Sequence, residues 1–137
     1  MDDEEIIRTT TGKLLDGLGY QVEFAKDGVE AIELYQQAKK TAFPFTAVIM
    51  DLTIPGGMGG KEAIKKLIEI DSEVVAIVSS GYSNDPVMAN FKEYGFSEVI
   101  TKPYTIDKLG EILHKVFIPN ADKLQLKMKN YKLKIPK

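Results

Sequence analysis

The chain alternates between two patterns of hydrophobic residues. Where apolar side chains recur every three or four residues, the pattern predicts helices at 4–18, 29–38, 61–70 and 106–117, with a shorter helix at 86–94. Between these helices, short aliphatic runs predict strands at 21–25, 47–50, 74–78 and 99–100. The runs at 47–50 and 74–78 are apolar without interruption, which is typical of strands buried on both faces of a sheet.

The first three of these helices each have a recognisable apolar face. We expect the inward residues to be Ile7, Leu14, Leu15 and Leu18 in the first, Val29, Ile32, Leu34 and Tyr35 in the second, and Ala63, Ile64, Leu67 and Ile68 in the third. Asp2 or Asp3 is the expected N-cap of the first helix, and Gly19 lies just past its end.

Strands that alternate with helices predict an α/β fold with a doubly wound parallel sheet covered on both faces. In such folds the functional crevice lies at the carboxyl ends of the strands. Asp51 follows one buried strand, Ser79 and Ser80 follow the next, and Lys102 follows the last. The sequence therefore predicts that these polar side chains meet at one edge of the sheet.

Charge and composition narrow the class of protein. Residues 1–118 contain 12 Lys and Arg against 19 Asp and Glu, whereas residues 119–137 contain six Lys and one Asp. An acidic body argues against nucleic acid as the partner of the domain itself. The chain has no cysteine, no basic and apolar leader, and no apolar run of the length that spans a membrane. We expect a cytoplasmic protein with no membrane contact.

The polar residues at the strand ends suit phosphoryl chemistry. Clustered carboxylates repel one another, so Asp2, Asp3 and Asp51 together favour a divalent cation, and oxygen ligands without His or Cys favour Mg²⁺. A lysine and a hydroxyl can neutralise and hydrogen-bond phosphoryl oxygens. Asp51 is then the candidate nucleophile, forming an acyl phosphate.

This pattern over residues 1–118 resembles the receiver domains of response regulators and hybrid histidine kinases, which have a flavodoxin-like three-layer αβα fold. The resemblance implies that Asp51 is phosphorylated and that Asp2, Asp3, Asp51 and the backbone carbonyl of Thr53 hold Mg²⁺. It also implies that Ser80 and Lys102 bind the phosphoryl group, with Ser79 as the fallback for Ser80. The peptide bond between Lys102 and Pro103 is expected to be cis, again by resemblance.

The implied function is a switch. A histidine kinase or phosphotransfer domain would supply the phosphoryl group, and a partner-binding face around 86–94, 98–101 and 106–117 would respond to it. The protein would not be a conventional enzyme, although autophosphatase activity can accompany this chemistry, and kinase activity would require a larger hybrid kinase. The alternative is a pseudo-receiver, a protein-interaction module without efficient phosphorylation. A flavin-binding domain is disfavoured because no hydroxyl-rich phosphate loop follows the first strand. His114 is expected at the surface.

Three features depart from the family pattern. Only Met1 remains of the hydrophobic strand that should precede the acidic pair, so that strand is either truncated or replaced. Alternating apolar residues at 123–135 in the basic tail, 119–137, predict a strand added at a sheet edge or swapped into a homodimer. Val99 stands where the family usually has an aromatic switch residue, so Tyr82 or Tyr104 would take that role. The loop 54–60 is one residue longer than the usual loop of the family and richer in glycine.

Overall fold

The structure is a computed structural model that describes residues 1–81 and 84–117, and the backbone of 134–136. Its elements, in chain order, are α1 (Glu5–Gly17), β1 (Gln21–Glu23), α2 (Gly28–Lys39), β2 (Val48–Asp51), α3 (Gly60–Ile70), β3 (Ala76–Ser80), α4 (Pro86–Ala89), α5 (Phe91–Tyr94), β4 (Glu98–Thr101), α6 (Ile106–Phe117) and β5 (Lys134–Pro136). Among these described residues, no helix is long and apolar enough to cross a bilayer.

All strand pairs are parallel, as the sequence predicts. One ladder has the order β2-β3-β4, and a second ladder joins β1 to β5. Asp51 pairs with Ser79, and Ser80 pairs with Thr101, so the carboxyl ends of β2, β3 and β4 lie side by side. The predicted α/β fold, with helices on both faces of a parallel sheet, is confirmed.

The two faces of the sheet carry separate hydrophobic cores, because successive side chains of a strand point to opposite faces. Val48, Met50, Ala76 and Val78 pack with buried residues of α2 and α3. On the other face, Ala47, Ile49, Ile77 and Ile100 pack with Leu15 of α1 and with Leu109 and Leu113 of α6. The sheet is therefore the middle layer of three.

Several predicted boundaries differ from the structure. Helix α6 has the predicted bounds, but the predicted helix at 86–94 is two short helices that meet at Asn90. The strand predicted at 21–25 ends at Glu23, and those predicted to begin at 47 and 74 begin at Val48 and Ala76 and continue through Asp51 and Ser80.

Two predictions about the helices are wrong. The N-cap of α1 is Glu4, not Asp2 or Asp3, although Asp2 Oδ1 accepts a hydrogen bond from the Glu4 backbone N–H at 3.0 Å. Val29 was expected to point inward but is 49% exposed. The buried face of α2 consists instead of Gly28, Ala31, Tyr35 and Ala38. Small residues let this helix lie close to the sheet, so its largest aliphatic residues are not the innermost.

The C-terminal tail is described only at Lys134–Pro136, which form the strand β5 parallel to β1. The predicted alternation at Leu124, Leu126, Met128, Tyr131 and Leu133 lies outside the described residues, as does Tyr82.

Candidate phosphoacceptor site

Asp51 is the last residue of β2 and lies at the carboxyl edge of the sheet. Its backbone N–H donates to the carbonyl of Met1 at 2.9 Å, and the residue is 8% exposed. Burial raises the pKa of the Asp51 carboxyl, while the hydrogen bond and charge of Lys102 lower it and the nearby charges of Asp2 and Asp3 raise it further. The pKa is raised on balance, so the site favours a positive group beside this carboxylate.

Lys102 supplies that positive group. Its ammonium lies 2.7 Å from Asp2 Oδ2 and 3.0 Å from Asp51 Oδ2, so one cation joins two carboxylates from opposite parts of the sequence. Burial alone would lower the pKa of Lys102, but the hydrogen bonds and charges of Asp2 and Asp51 outweigh it and raise the pKa. The lysine is therefore protonated at neutral pH.

The backbone around Lys102 fixes its approach to the site. Its N–H donates to the carbonyl of Ser80 at 3.0 Å, and the peptide bond to Pro103 is cis, as the family resemblance implied. Since β4 ends at Thr101, the lysine side chain leaves the sheet next to the ends of β2 and β3.

Asp2 is held in the site by its own backbone. Its N–H donates to the Ala25 carbonyl at 3.0 Å, and Arg8 Nη1 donates to its carbonyl at 2.8 Å. Its Oδ2 atom is buried and has no hydrogen bond of good geometry with the described residues, although it is in the ion pair with Lys102. A buried carboxylate oxygen in this state is well suited to a cation.

The chemistry of the donor set fits Mg²⁺. Asp3 and Thr53 are exposed, and the carboxylates of Asp2, Asp3 and Glu4 have oxygen atoms within 4.8 Å of one another. Hard oxygen donors of this kind suit Mg²⁺, which usually keeps several water ligands. Asp2, Asp3, Asp51 and the carbonyl of Thr53 are the residues that could hold the ion. The sequence did not predict that the Glu4 carboxylate would join this cluster, although Glu4 directly follows the acidic pair.

The two serines at the end of β3 lie in different surroundings. Ser79 is fully buried, and its hydroxyl forms a short hydrogen bond with the hydroxyl of Tyr104. Ser80 is also buried, on the opposite face of the strand, and its carbonyl accepts from the Lys102 N–H. Burial raises the pKa of Tyr104 to about 12, so its hydroxyl stays protonated. Ser79 is thus engaged by Tyr104, a contact that sequence spacing did not predict.

The structure brings together Asp2, Asp51, Ser79, Ser80, Lys102 and Tyr104 at this edge, with Asp3 and Thr53 beside them. Arg8 is a further contributor that was not predicted, because its contact with the Asp2 carbonyl depends on how α1 begins. His114 is exposed on α6 and takes no part in the site.

Known proteins resemble this chain in sequence and in fold. The response regulator receiver domain family matches residues 1–114. The chemotaxis protein CheY of Thermotoga maritima is 31% identical over 117 residues, which cover 85% of this chain and 92% of that protein.

Two solved structures show the same architecture. The chemotaxis protein CheY4 of Vibrio cholerae aligns with a TM-score of 0.71 at 26% identity, covering 84% of this chain and 92% of that one. The receiver domain of the sensor histidine kinase PA1611 of Pseudomonas aeruginosa, solved with a magnesium ion in its active site cleft, aligns with a TM-score of 0.70 at 22% identity and covers 84% and 91%. The chain therefore belongs to the response regulator receiver domain family of two-component signalling.

Proposed function

We propose that this receiver domain accepts a phosphoryl group on Asp51 from a phosphohistidine of a histidine kinase or phosphotransfer domain, in the cytoplasm and with Mg²⁺. The observation that carries the proposal is the pair of contacts from the Lys102 ammonium to Asp2 and Asp51 at the carboxyl ends of the parallel strands. These contacts support the proposal because they bring together the carboxylate proposed as nucleophile, the ammonium proposed to bind phosphate and a carboxylate proposed as metal ligand.

In the proposed reaction, a carboxylate oxygen of Asp51 attacks the phosphorus atom, the P–N bond to the donor histidine breaks, and an acyl phosphate forms on Asp51. The Lys102 ammonium moves from pairing with the carboxylate to pairing with the new phosphoryl oxygens. When bound, Mg²⁺ would offset the negative charge of the transferring group. Asp2, Asp3, Asp51 and the Thr53 carbonyl are its proposed ligands.

Ser80 is the proposed hydroxyl donor to the phosphoryl group. Ser79 is the weaker candidate because its hydroxyl is already bonded to Tyr104. This bond also makes Tyr104 the proposed aromatic switch residue, since a change at Ser79 would reach its partly buried ring directly. The responding face would comprise α4, α5, β4 and α6.

A second candidate function is a pseudo-receiver that binds partners without phosphorylation. The observation in its favour is that Lys102 already pairs with the carboxylates of both Asp2 and Asp51, so a metal ion must compete with an existing cation. In that case the ion-pair cluster would be a structural feature of the fold and not a resting state of the reaction.

Incubation with Mg²⁺ and a small phosphodonor, followed by intact-mass measurement, distinguishes the two candidates. The phospho-switch predicts a mass gain of one phosphoryl group that disappears without Mg²⁺ and in Asp51→Ala. Asp85→Ala is the matched control, because Asp85 caps α4 and does not contact Lys102. No gain in the wild type, or a gain that persists in Asp51→Ala, would reject phosphorylation at Asp51.

A further inference from the structure

The loop that carries Lys102 is attached to the end of β3 at two points. This loop, 102–105, connects β4 to α6. At its start, the Lys102 backbone N–H donates to the carbonyl of Ser80 at 3.0 Å. Two residues later, the hydroxyl of Tyr104 is hydrogen-bonded to the hydroxyl of Ser79. Because Ser79 and Ser80 are successive residues of one strand, both attachments join the loop to the same part of the sheet.

Burial makes the bond between the two hydroxyls difficult to break. Ser79 is 0% exposed, and its side chain lies on the face of β3 that also carries Ile77. The ring of Tyr104 packs against the hydrophobic core on this face. A buried hydroxyl that loses its hydrogen-bond partner does not regain one from bulk water, so separation of the pair is costly. The loop is therefore held by the Tyr104 side chain as well as by its backbone bond to Ser80.

The other side of the loop has room for movement. Lys102, Pro103 and Tyr104 line a groove of about 290 Å³ that lies between the loop and α1. A loop beside an open groove meets few atoms that resist its displacement in that direction. The bond from Tyr104 to Ser79 is thus a contact that opposes movement of the loop toward α1.

We propose that Tyr104, through its hydroxyl bond to Ser79, is a positioning residue for Lys102. The Lys102 ammonium lies 2.7 Å from Asp2 Oδ2 and 3.0 Å from Asp51 Oδ2. These distances depend on where the loop places the lysine backbone, and Tyr104 lies two residues further along that loop. The functional meaning of this role rests on the proposed phosphorylation, and the role is separate from the response of the Tyr104 ring proposed above.

The position of Lys102 affects metal binding and phosphoryl transfer in opposite directions. Its ammonium pairs with Asp2 and Asp51, which are two of the proposed Mg²⁺ ligands, so a lysine that is held there competes with the ion. The same ammonium must stay close to Asp51 to neutralise the phosphoryl oxygens during transfer. A loosened loop should therefore allow tighter Mg²⁺ binding and slower phosphoryl transfer, whereas general damage to the site would weaken both.

Tyr104→Phe in the full chain tests the proposal, because it removes the hydroxyl and keeps the ring. Ser79→Ala removes the other half of the bond, and the double variant leaves neither hydroxyl of the pair in the core. If the pair acts on Lys102 as a unit, the double variant should change the lysine as much as either single variant does. Tyr35→Phe is the matched control, since it also removes a hydrogen-bonded tyrosine hydroxyl, but one that donates to Asp71 on the opposite face of the sheet.

Two measurements report on Lys102 without phosphorylation. The first is the rate at which an amine-reactive ester modifies Lys102 in metal-free protein, determined by peptide mass mapping relative to the exposed Lys115. An ion pair protects an amine from such reagents because it favours the protonated form. The rate should rise several-fold in Tyr104→Phe and stay unchanged in Tyr35→Phe. The second is calorimetric titration with Mg²⁺ alone, in which the dissociation constant should fall several-fold in Tyr104→Phe.

Unchanged reactivity of Lys102 in Tyr104→Phe, or an equal rise in Tyr35→Phe, would overturn the proposal, and so would unchanged or weaker Mg²⁺ binding in Tyr104→Phe. If the unpaired Ser79 hydroxyl prevents Tyr104→Phe from folding, the double variant gives the same decision.

Phosphorylation by a small phosphodonor at saturating Mg²⁺ should be several-fold slower in Tyr104→Phe, and an unchanged rate would overturn the role of Tyr104 in the reaction. A wild type that gains no phosphoryl group would reject the proposed function. The reactivity of Lys102 would still decide whether Tyr104 positions it, so the two failures can be told apart.

Discussion

Lys102 connects two carboxylates that are far apart in sequence and adjacent in space. Because its ammonium is the described cation between Asp2 and Asp51, its removal would leave two partly buried negative charges close together. The raised pKa of Asp51 has the same cause, since burial and the neighbouring acids already disfavour the ionised form of its carboxyl. At the scale of single residues, the positive charge of Lys102 offsets the negative charges of the clustered carboxylates.

Lys102→Ala is expected to lower the free energy of unfolding by roughly 1–3 kcal/mol in the absence of metal, because the Asp2 Oδ2 atom then loses its ion pair. Mg²⁺ should recover part of this loss, so it should raise the melting temperature more in the variant than in the wild type. Thermal unfolding with and without Mg²⁺ measures both effects. Lys115→Ala, at an exposed position of α6, is the control; the same Mg²⁺ response in all three proteins would contradict a cation site at these residues.

Three of the candidate residues were predictable because each lies at, or directly after, the carboxyl end of a strand of the parallel sheet. The strand ends of a parallel sheet meet at one edge, so Asp51, Ser80 and Lys102 could be grouped from their positions alone. The contacts of Tyr104 with Ser79 and of Arg8 with Asp2 could not, because each depends on the direction of a loop or helix entry that no spacing rule fixes.

Two elements show what sequence patterns leave out. The predicted helix at 86–94 is interrupted at Asn90, whose φ of −115° and ψ of 35° lie outside the helical region. Asparagine competes with helical hydrogen bonding through its own side chain, which makes an interruption there reasonable. Helix α2 buries Gly28, Ala31 and Ala38, so a rule that places the largest aliphatic residues inward fails for Val29.

The loop from β2 to α3 depends on glycine for close packing. A Cβ atom at Gly59 would clash with the carbonyl oxygen of Leu52, and one at Gly60 would lie 2.9 Å from the Asp51 carbonyl oxygen. Gly59→Ala should therefore destabilise the protein by roughly 1–3 kcal/mol and displace the backbone that follows Asp51.

Chemical denaturation measures the stability change in Gly59→Ala. Gly110→Ala provides the control, since a Cβ there lies 3.6 Å from Leu18 and alanine favours a helix interior by about 1 kcal/mol. If Gly59→Ala were as stable as Gly110→Ala, the described packing of this loop would be wrong.

Helices α2 and α3 are connected by a hydrogen bond from the Tyr35 hydroxyl to Asp71 Oδ2 at 2.7 Å. This bond lowers the pKa of Asp71 despite some burial, so the folded state favours its ionised form. The stabilisation is present above the unfolded carboxyl pKa of about 3.9 and is lost as pH falls through the lower folded value.

Tyr35→Phe should therefore cost roughly 1 kcal/mol at pH 7, and this difference from the wild type should shrink below about pH 3. Urea unfolding of the wild type and of Tyr35→Phe, at pH 7 and below about pH 3, measures this difference in the free energy of unfolding. Tyr20→Phe is the control, because burial alone raises the pKa of Tyr20 and its effect should not change across this range. A Tyr35→Phe difference that stays constant with pH would contradict a preference of this bond for the ionised form of Asp71.

At the scale of the whole molecule, the central question is how the sheet is completed. The tail shows strand-like alternation in the sequence, but the sequence alone could not place this strand at a sheet edge, in the centre of the sheet or in a partner. The position of a strand in a sheet depends on the register in which its residues pair with those of the neighbouring strands. That register involves both partners, so it cannot be predicted from the alternation of one segment alone.

Deletion of residues 118–137 should lower the melting temperature by several degrees and weaken Mg²⁺ binding, because β1 loses its described ladder partner and Asp2 loses support. Addition of a peptide corresponding to residues 129–137 should restore part of both properties. The same peptide with Ile135→Pro is the control, since proline cannot donate a backbone hydrogen bond in the ladder. A truncated protein as stable as the full chain would show that the pairing of β5 with β1 does not stabilise the fold.

The most direct test of the central claim is chemical identification of the phosphorylated residue. Borohydride reduces an aspartyl phosphate to homoserine, so treatment of the protein after exposure to Mg²⁺ and a small phosphodonor marks the acceptor for tandem mass spectrometry. We predict homoserine at position 51, dependent on Mg²⁺ and absent in Asp51→Asn. Unmodified Asp51 under these conditions, or homoserine at another acidic residue, would contradict the assignment of Asp51 as the phosphoacceptor.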